Sequence, residues 1–186
     1  MRQTQFLALS LLLLCPVAFA QDKPGSGNTF NIGEGKLALT APASWTKKQP
    51  AIRIIEAEFA VPPAKGDSAT ARLTAMGAGG SVEANVTRWA GQFVGQGGAA
   101  VKPKRDKLTA GGAEIEIVDL TGTYKDSPGG PFAGGKEVLR DNYRMLGAII
   151  QTKDAGNYFL KLYGPKATID ENEKGFQEMV KSLKVK

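Results

Sequence analysis

Residues 142–163, NYRMLGAIIQTKDAGNYFLKLY, consist of two largely apolar runs separated by a short polar turn. The runs Asn142 to Lys153 and Tyr158 to Tyr163 are typical of β-strands, and Asp154-Ala155-Gly156 between them is typical of a hairpin turn. This stretch therefore predicts two adjacent antiparallel strands. Because similar pairs of runs recur upstream, it also indicates that the sheet as a whole is largely antiparallel.

An amphipathic helix is predicted directly after this hairpin. Thr168 and Glu171 have the spacing of a capping box, which satisfies two backbone amides at a helix N-terminus. Lysines follow near the end of the segment, where they suit the negative end of the helix dipole. The apolar residues of the segment fall on one face: Ile169, Phe176, Met179, Val180 and Leu183.

Two further strand pairs are joined by glycine-containing turns. Gly111-Gly112 connects a strand at Asp106 to Ala110 with a longer strand at Ala113 to Tyr124, which is a two-residue hairpin pattern. The apolar residues of the longer strand change face midway, so it contains a bulge or is buried on both sides. Thr29 to Ile32 and Lys36 to Thr40 are the two short strands of the other pair.

The last predicted pair consists of Ala51 to Val61 and Ala69 to Met76. The apolar faces of these two strands match only if the residue numbers of each facing pair add to an even number. One such register places Glu58 opposite Arg72, which is a stabilising cross-strand arrangement.

A first helix is predicted between this pair and the basic stretch that follows. Ser81 is a favourable N-cap for a helix that extends to about Val94. Val82, Val86, Trp89 and Phe93 recur at helical spacing and form its buried stripe. The order of elements predicts an α+β fold: a largely antiparallel β-sheet of about six to eight strands with two main amphipathic helices packed on it.

This order resembles the PsbP-like fold group, named for an extrinsic subunit of the photosystem oxygen-evolving complex. Its early strand is followed by a Pro-x-x-Trp step, here Pro42–Trp45, then by a long hairpin and a helix. The stretch Gly80–Phe93 also resembles a recurrent segment of uncharacterised exported bacterial proteins. Together with Lys161–Pro165 and the last helix, the resemblance covers most of residues 29–184. It implies an α/β/α sandwich and no particular activity, because members of the group share none.

The first twenty residues predict a signal peptide. Arg2 precedes the apolar run Phe6–Leu14, and Ala18-Phe19-Ala20 has the small-x-small pattern of a cleavage site. The run is shorter than the roughly 20 residues that span a bilayer. Cys15 would be acylated in a lipoprotein, but Leu14 stands where that processing requires a small residue. We therefore expect export to the periplasm or the medium.

Beyond the signal peptide, we expect a flexible lead-in at residues 21–28 and a single globular domain at residues 29–186. A chain of this size buries about 70% of its unfolded surface, which is enough for a stable core without disulfides. Residues 21–186 contain no cysteine, no histidine and no apolar run long enough to span a membrane.

Composition excludes several classes of chemistry. The chain has no histidine and one cysteine, so it contains no Ser-His-Asp triad, histidine metal site or CxxC redox pair. We predict no catalytic residues, no metal and no cofactor. The net charge of +6 predicts loose attraction to anionic surfaces. The basic stretch Lys102–Lys107 has no interleaved aromatic residues, so it does not indicate specific nucleic-acid binding.

Two carboxylate pairs leave an enzymatic alternative open. Glu56 with Glu58 and Glu114 with Glu116 lie two residues apart on strands, at roughly 7 Å, which is within the range that glycosidases use. A polysaccharide hydrolase would need two such carboxylates in one pocket. Both pairs alternate with apolar residues, and this favours solvated strand faces instead. A structural subunit of an envelope complex is a further alternative, which would show a large exposed apolar patch.

The best candidate site lies on the first helix. Asn85, Arg88 and Gln92 form a polar stripe beside Trp89 and the buried face. Amides and a guanidinium bind anionic or carbonyl-bearing ligands, although the same residues could tether the helix to its neighbours. The glycine-proline loop 127–135 is a candidate lid. We therefore predict a non-catalytic exported domain that binds a small ligand or an envelope protein through these four residues.

Overall fold

The structure is a computed structural model that describes residues 27–77, 79–127, 136–154 and 156–186. The predicted signal peptide at residues 1–20 and most of the lead-in at 21–28 lie outside these ranges, as does nearly all of the candidate lid at 127–135. Asn28, predicted to end the lead-in, is already the first residue of a strand.

The described residues form eleven strands and two α-helices, with a short 3-10 turn at Gln96–Gly98. In chain order they are β1 Asn28–Ile32, β2 Leu37–Ala41, β3 Thr46–Lys48, β4 Ala57–Val61, β5 Ala71–Gly77, α1 Val82–Ala90, β6 Phe93–Val94, β7 Lys104–Ala110, β8 Ala113–Asp126, β9 Val138–Gln151, β10 Asn157–Pro165, α2 Lys166–Lys181 and β11 Lys184–Val185.

All strand pairings between these elements are antiparallel. The main sheet has eight strands in the order β3-β4-β5-β10-β9-β8, with β6 and β7 both paired to the outer side of β8. A smaller sheet has the order β1-β2-β11. The predicted α+β class, the strand number and the two helices are therefore confirmed.

Alternate residues of the central strands supply two hydrophobic cores on opposite faces of the main sheet. In β10, Leu160 belongs to the core beneath α2 and Phe159 to the core beneath α1. In β8, Ile115 and Val118 divide in the same way, so this strand is buried on both faces. A register shift between Gly122 and Tyr124 adds the bulge that the sequence pattern also allowed. The helices thus cover opposite faces, as an α/β/α sandwich requires.

The prediction of one long strand from Ala51 to Val61 is wrong in its first half. Residues 51–56 form turns and bends, in which the Ile55 N–H donates to the Ile52 carbonyl at 3.0 Å. Ile54 is 58% exposed, so apolar composition in this segment does not reflect strand pairing. Strand β4 begins only at Ala57, and the unpredicted strand β3 is its outer partner.

The register between β4 and β5 differs by two residues from the predicted one. Glu58 faces Thr74, while Arg72 faces Ala60. Because a shift of two residues keeps every side chain on its face, the apolar faces still match. The Arg72 guanidinium reaches Glu58 diagonally, with Nε and Nη2 donating at 3.0 and 2.8 Å.

Helix α1 begins as predicted and ends one turn early. The Ser81 hydroxyl accepts a hydrogen bond from a first-turn amide at 3.1 Å, as an N-cap does. The helix stops at Ala90 with Gly91 as the C-cap, because Phe93–Val94 leave to pair with β8. Gln92 consequently lies in the connection after the helix rather than on its polar stripe.

The predicted capping box at the start of the last helix is also wrong. Helix α2 begins before Thr168, and a distant loop caps it instead. The backbone N–H and the hydroxyl of Thr168 both donate to the Asp67 carboxylate, at 3.1 and 2.6 Å. The same hydroxyl accepts from the Ala64 N–H at 3.0 Å. The predicted apolar stripe of this segment is confirmed, since all of its members are buried: Ile169, Phe176, Met179, Val180 and Leu183.

Candidate functional site

Trp89 fixes α1 against the main sheet. Its ring lies over Gly147 of β9, where a methyl group would overlap the indole. The ring also contacts Phe159 edge-to-face, with centroids 5.9 Å apart. Trp89 is 4% exposed, so its contacts with the sheet determine where the polar residues of α1 lie.

Asn85 and Arg88 contact each other on α1. Asn85 is buried, and its Nδ2 donates to the carbonyls of Ser81 and Gly79 at 2.9 and 3.2 Å. Its Oδ1 accepts from Arg88 Nη2 at 2.6 Å. Asn85 therefore ties the helix to the preceding loop, as the tethering interpretation predicts. Arg88 is exposed, and among the described residues no carboxylate lies within ion-pair distance of it.

Gln92 contacts a residue that the sequence analysis did not single out. Its Oε1 accepts from the Nζ of Lys161 on β10 at 2.6 Å. The Lys161 amine also donates to the Tyr124 hydroxyl at 3.1 Å and lies 4.9 and 4.6 Å from the ring centroids of Tyr124 and Tyr163. We refer to Lys161, Gln92, Tyr124 and Tyr163 as the Lys161 cluster.

The Lys161 cluster contains no carboxylate. The lysine is partly buried, and within the described part of the chain its amine is not paired with an acid. Burial lowers the pKa of Lys161 from 10.5 to about 7, with further lowering by the charges of Arg72 and Arg88 and partial opposition from Asp126. A difference of this size disfavours the charged amine by on the order of 5 kcal/mol. The tyrosine rings favour the charged form by only ~0.5–2 kcal/mol, so burial dominates.

Arg72 lies beside the cluster with its charge already neutralised. Its bidentate contact with Glu58 is the strongest geometry for an arginine–carboxylate pair. Its Nη1 donates to the Tyr163 hydroxyl at 3.0 Å, and this bond holds one wall of the cluster in place. Arg88 and Lys161 have no acidic partner in the described structure, and neither does Lys125, which donates to the Gly91 carbonyl at the end of α1.

The two carboxylate pairs of the enzymatic alternative do not converge. Strands β4 and β8, which carry Glu58 and Glu116, are separated by three intervening strands, or roughly 19 Å. Each of these two acids is bound by an arginine, and Glu114 is exposed. Glu56 is exposed and accepts from the backbone N–H groups of Gly33 and Gly77, whereas Glu58 and Glu116 are each held in an ion pair with an arginine.

Glu116 corrects the expectation of solvated strand faces. It is 3% exposed and accepts from the Nε of Arg105 on β7 at 2.5 Å. The same guanidinium donates to Glu83 at the start of α1, at 2.6 and 2.9 Å. Glu116 thus helps to anchor α1 to the edge of the sheet.

Two surface clefts of the described structure lie elsewhere. One, of about 550 Å³, lies between the 3-10 turn Gln96–Gly98 and strands β8 and β9. Another, of about 330 Å³, lies between the Gly111-Gly112 turn and Val185. Neither is lined by Asn85, Arg88, Trp89 or Gln92. Of these four predicted residues, Gln92 contacts Lys161 directly.

Exposed large apolar side chains are spread over three segments of the described chain: Ile54 before β4, Val138 and Leu139 in β9, and Val185 in β11. No helix among these residues is both long and apolar enough to cross a membrane.

Comparison with known proteins identifies the fold. No protein-family model matches the chain, and no curated protein matches its sequence significantly. The solution structure of cyanobacterial PsbP (CyanoP) from Synechocystis sp. PCC 6803 is similar over 95% of this chain and 99% of that chain, with 11% identity and a TM-score of 0.53. The chain therefore has a PsbP-like fold, as the resemblance predicted.

Two other solved structures are similar at lower scores. The Saccharomyces cerevisiae Ran-binding protein Mog1p has 10% identity and a TM-score of 0.47, covering 86% of this chain and 96% of that chain. LpqN, involved in cell envelope biogenesis of Mycobacterium tuberculosis, has 13% identity and a TM-score of 0.45, covering 89% and 87%. Similarities of this kind describe a fold and assign no ligand.

Proposed function

We propose that this protein is an exported, non-catalytic domain that binds a small anionic ligand beside α1, through Arg88 and Lys161. One observation carries the proposal: the Lys161 amine is partly buried among neutral groups, with no acid to balance it in the described structure. A bound anion would supply the missing partner, since hydrogen bonds between charged groups are about twice as strong as neutral ones.

Four other arginines of the described chain form ion pairs with carboxylates, so their charges are already balanced. The pairs are Arg72 with Glu58, Arg105 with Glu83 and Glu116, Arg140 with Asp126, and Arg144 with Asp119, Asp170 and Glu173. Arg88 and Lys161 have no such partner, and Lys161 is in addition partly buried between aromatic rings. A ligand there would meet the guanidinium fork of Arg88 on the helix and the amine of Lys161 on the sheet.

The surroundings of these cations suit recognition of a small molecule. Trp89 and Gly147 hold α1 at a fixed position, and the bond to Asn85 orients the Arg88 guanidinium.

Binding can be tested by calorimetry on protein purified from cells that express the full chain, with phosphate, short carboxylates, dicarboxylates and sugar phosphates as probes. We expect saturable binding of at least one anion, weakened at least tenfold by Arg88→Ala and by Lys161→Met. Arg53→Ala and Lys48→Met remove exposed cations near β4 and are matched controls. Equal affinity in all four variants would overturn the proposed site. If the protein binds no anion of the panel but captures an envelope protein, the small-ligand proposal is wrong and a protein partner takes its place.

Export is a separate part of the proposal and rests on the first twenty residues. We expect the mature protein to begin at Gln21, because Ala18-Phe19-Ala20 has the cleavage pattern. N-terminal sequencing of protein from fractionated cells tests this, with Ala20→Asp as the variant that blocks cleavage. Uncleaved protein in the cytoplasm of cells that express the unaltered chain would contradict export.

A further inference from the structure

The geometry of the Lys161 cluster leads us to propose that the Lys161 amine forms an imine with a carbonyl compound that carries an anionic group. The simplest compounds of this class are oxo acids. This inference rests on the proposed function, because it assigns the anionic group of the ligand to Arg88. It goes further by making the attachment covalent and by naming the reacting atom.

The amine is placed where a lysine can act as a nucleophile. Imine formation requires the nitrogen lone pair, which an ion pair with a carboxylate would keep protonated. Lys161 Nζ instead contacts the amide oxygen of Gln92 and the hydroxyl of Tyr124, at 2.6 and 3.1 Å, and lies over two aromatic rings. The lowered pKa of about 7 agrees with this geometry and leaves roughly half of the amines neutral at pH 7.

Other partly buried lysines of the described chain have different surroundings. Lys125 donates to the Gly91 carbonyl at 3.3 Å, and Lys166 forms an ion pair with Asp170. Only Lys161 of these three lies between aromatic rings without an acid. Selective reaction at Lys161 is therefore expected, since its amine is the one of these three that is held between aromatic rings by neutral groups.

The reaction is balanced without any oxidant or reductant. The Nζ lone pair attacks the carbonyl carbon, and the π electrons of the carbonyl move to its oxygen, which takes up a proton. The resulting carbinolamine loses that oxygen as water, both hydrogens of the neutral amine leave with it, and a carbon–nitrogen double bond forms. Burial raises the pKa of Tyr124, so its hydroxyl stays protonated and can donate to the departing oxygen before regaining a proton from the nitrogen.

Arg88 is the residue that would bind the anionic group of the carbonyl compound. Arg88 lies in the last turn of α1, four residues before Gln92, which contacts the Lys161 amine, and its charge contributes to the lowered pKa of Lys161. A carboxylate bound to Arg88 would place the adjacent carbonyl carbon of an oxo acid near Nζ. The same carboxylate stabilises the protonated imine once it has formed.

Borohydride trapping tests the covalent step. Protein purified from cells that express the full chain is incubated at pH 7 with glyoxylate and sodium cyanoborohydride, then examined by intact mass and peptide mapping. We expect one reduced adduct, on the peptide that contains Lys161, and its loss in Lys161→Arg. Lys48→Arg is the matched control and should label as the unaltered protein does. Labelling spread over exposed lysines and unchanged by Lys161→Arg would overturn the proposal.

An uncharged aldehyde separates the two roles within the site. Arg88→Ala should slow labelling by glyoxylate about tenfold or more, the factor associated with a charge-assisted hydrogen bond. With acetaldehyde the same variant should be slowed much less, only as far as loss of the Arg88 charge raises the pKa of Lys161. Equal slowing with both aldehydes would contradict the assignment of the anionic group to Arg88.

Glycolate distinguishes failure of the imine from failure of the binding site, since it is an anion of similar size without a carbonyl. If glycolate binds through Arg88 in calorimetry but glyoxylate leaves no adduct on Lys161, the imine is wrong and the anion site stands. If neither compound binds and no adduct forms, the imine proposal is wrong. Calorimetry with the other anions then decides whether the anion site exists.

Discussion

Replacing Lys161 with Met is expected to stabilise the protein at pH 6. The lowered pKa corresponds to on the order of 5 kcal/mol against the charged amine, and partial exposure reduces this by solvent screening to about 2–3 kcal/mol. Loss of the bonds to Gln92 and Tyr124 offsets roughly 1 kcal/mol. Met keeps most of the apolar stem that lies between the rings. The net expectation is a gain of about 1–2 kcal/mol in the free energy of unfolding.

The sign of the pH dependence follows from linkage. Lys161 has a pKa of about 7 in the folded protein and near 10.5 in the unfolded chain, so between these values the unfolded chain binds more protons. The contribution of this residue to stability therefore improves as pH rises through that window, by up to ~1.4 kcal/mol per pH unit. Below pH 7 the amine is charged in both states and its destabilising effect is complete.

Urea unfolding at pH 6, 7.5 and 9 measures this effect, with fluorescence of the buried Trp45 and Trp89 as the signal. The advantage of Lys161→Met should be largest at pH 6 and should shrink toward pH 9, because other titrating groups are common to both proteins. Lys48→Met, an exposed position on β3, should show little difference at any pH. A Met variant that is less stable at pH 6, or an advantage independent of pH, would refute the reasoning.

Three other substitutions test how the two helices are held against the sheet. Gly147→Ala should lower the free energy of unfolding by about 2–3 kcal/mol and shift Trp89 fluorescence, since the added methyl overlaps the indole; Gly79→Ala, which meets open space, is the control, and equal effects would contradict this packing. Arg144→Ala should lower it by about 2–4 kcal/mol, because three carboxylates at 2.7–2.9 Å lose their cation; urea unfolding unchanged within 0.5 kcal/mol, roughly the effect of a surface substitution, would count against it. Ser81→Ala should lower it by about 1 kcal/mol and reduce helical circular dichroism, and a neutral result would show that the cap is not needed.

Sequence patterns predicted the strands more reliably than the ends of the helices. Alternation of apolar residues identifies a strand locally, and the Gly111-Gly112 turn is predicted correctly because both residues adopt positive φ, which few residues other than glycine tolerate. Phe93 fits the helical stripe and also fits the strand in which it is found. Pairing with Tyr124 of β8 decides between the two, and that contact is not encoded near Phe93.

The cap of α2 shows the same limit. Thr168 and Glu171 have the local spacing of a capping box, but the Asp67 carboxylate supplies the acceptor from a distant loop. The β4 register likewise kept its predicted parity and shifted by two residues, since parity depends on burial whereas the offset depends on the whole sheet.

Sequence patterns predicted only part of the candidate site, and the reason is physical. Asn85, Arg88 and Gln92 are polar residues beside a helical apolar stripe, so the pattern identifies them. Lys161 lies in a run whose residues are apolar on both faces, and such a strand is buried. A lysine inside that run was the available signal, because lysine is almost never fully buried without a partner.

The smaller sheet joins parts of the chain that are synthesised at very different times. Strand β2 lies near the start of the described residues, and β11, its partner, is formed by Lys184–Val185. The edge of β2 that faces β11 therefore stays unpaired until residues 184–185 have been synthesised. Closing so long a loop adds entropy cost and slows folding, so we expect late completion of this sheet, after the hairpins formed by neighbours in sequence.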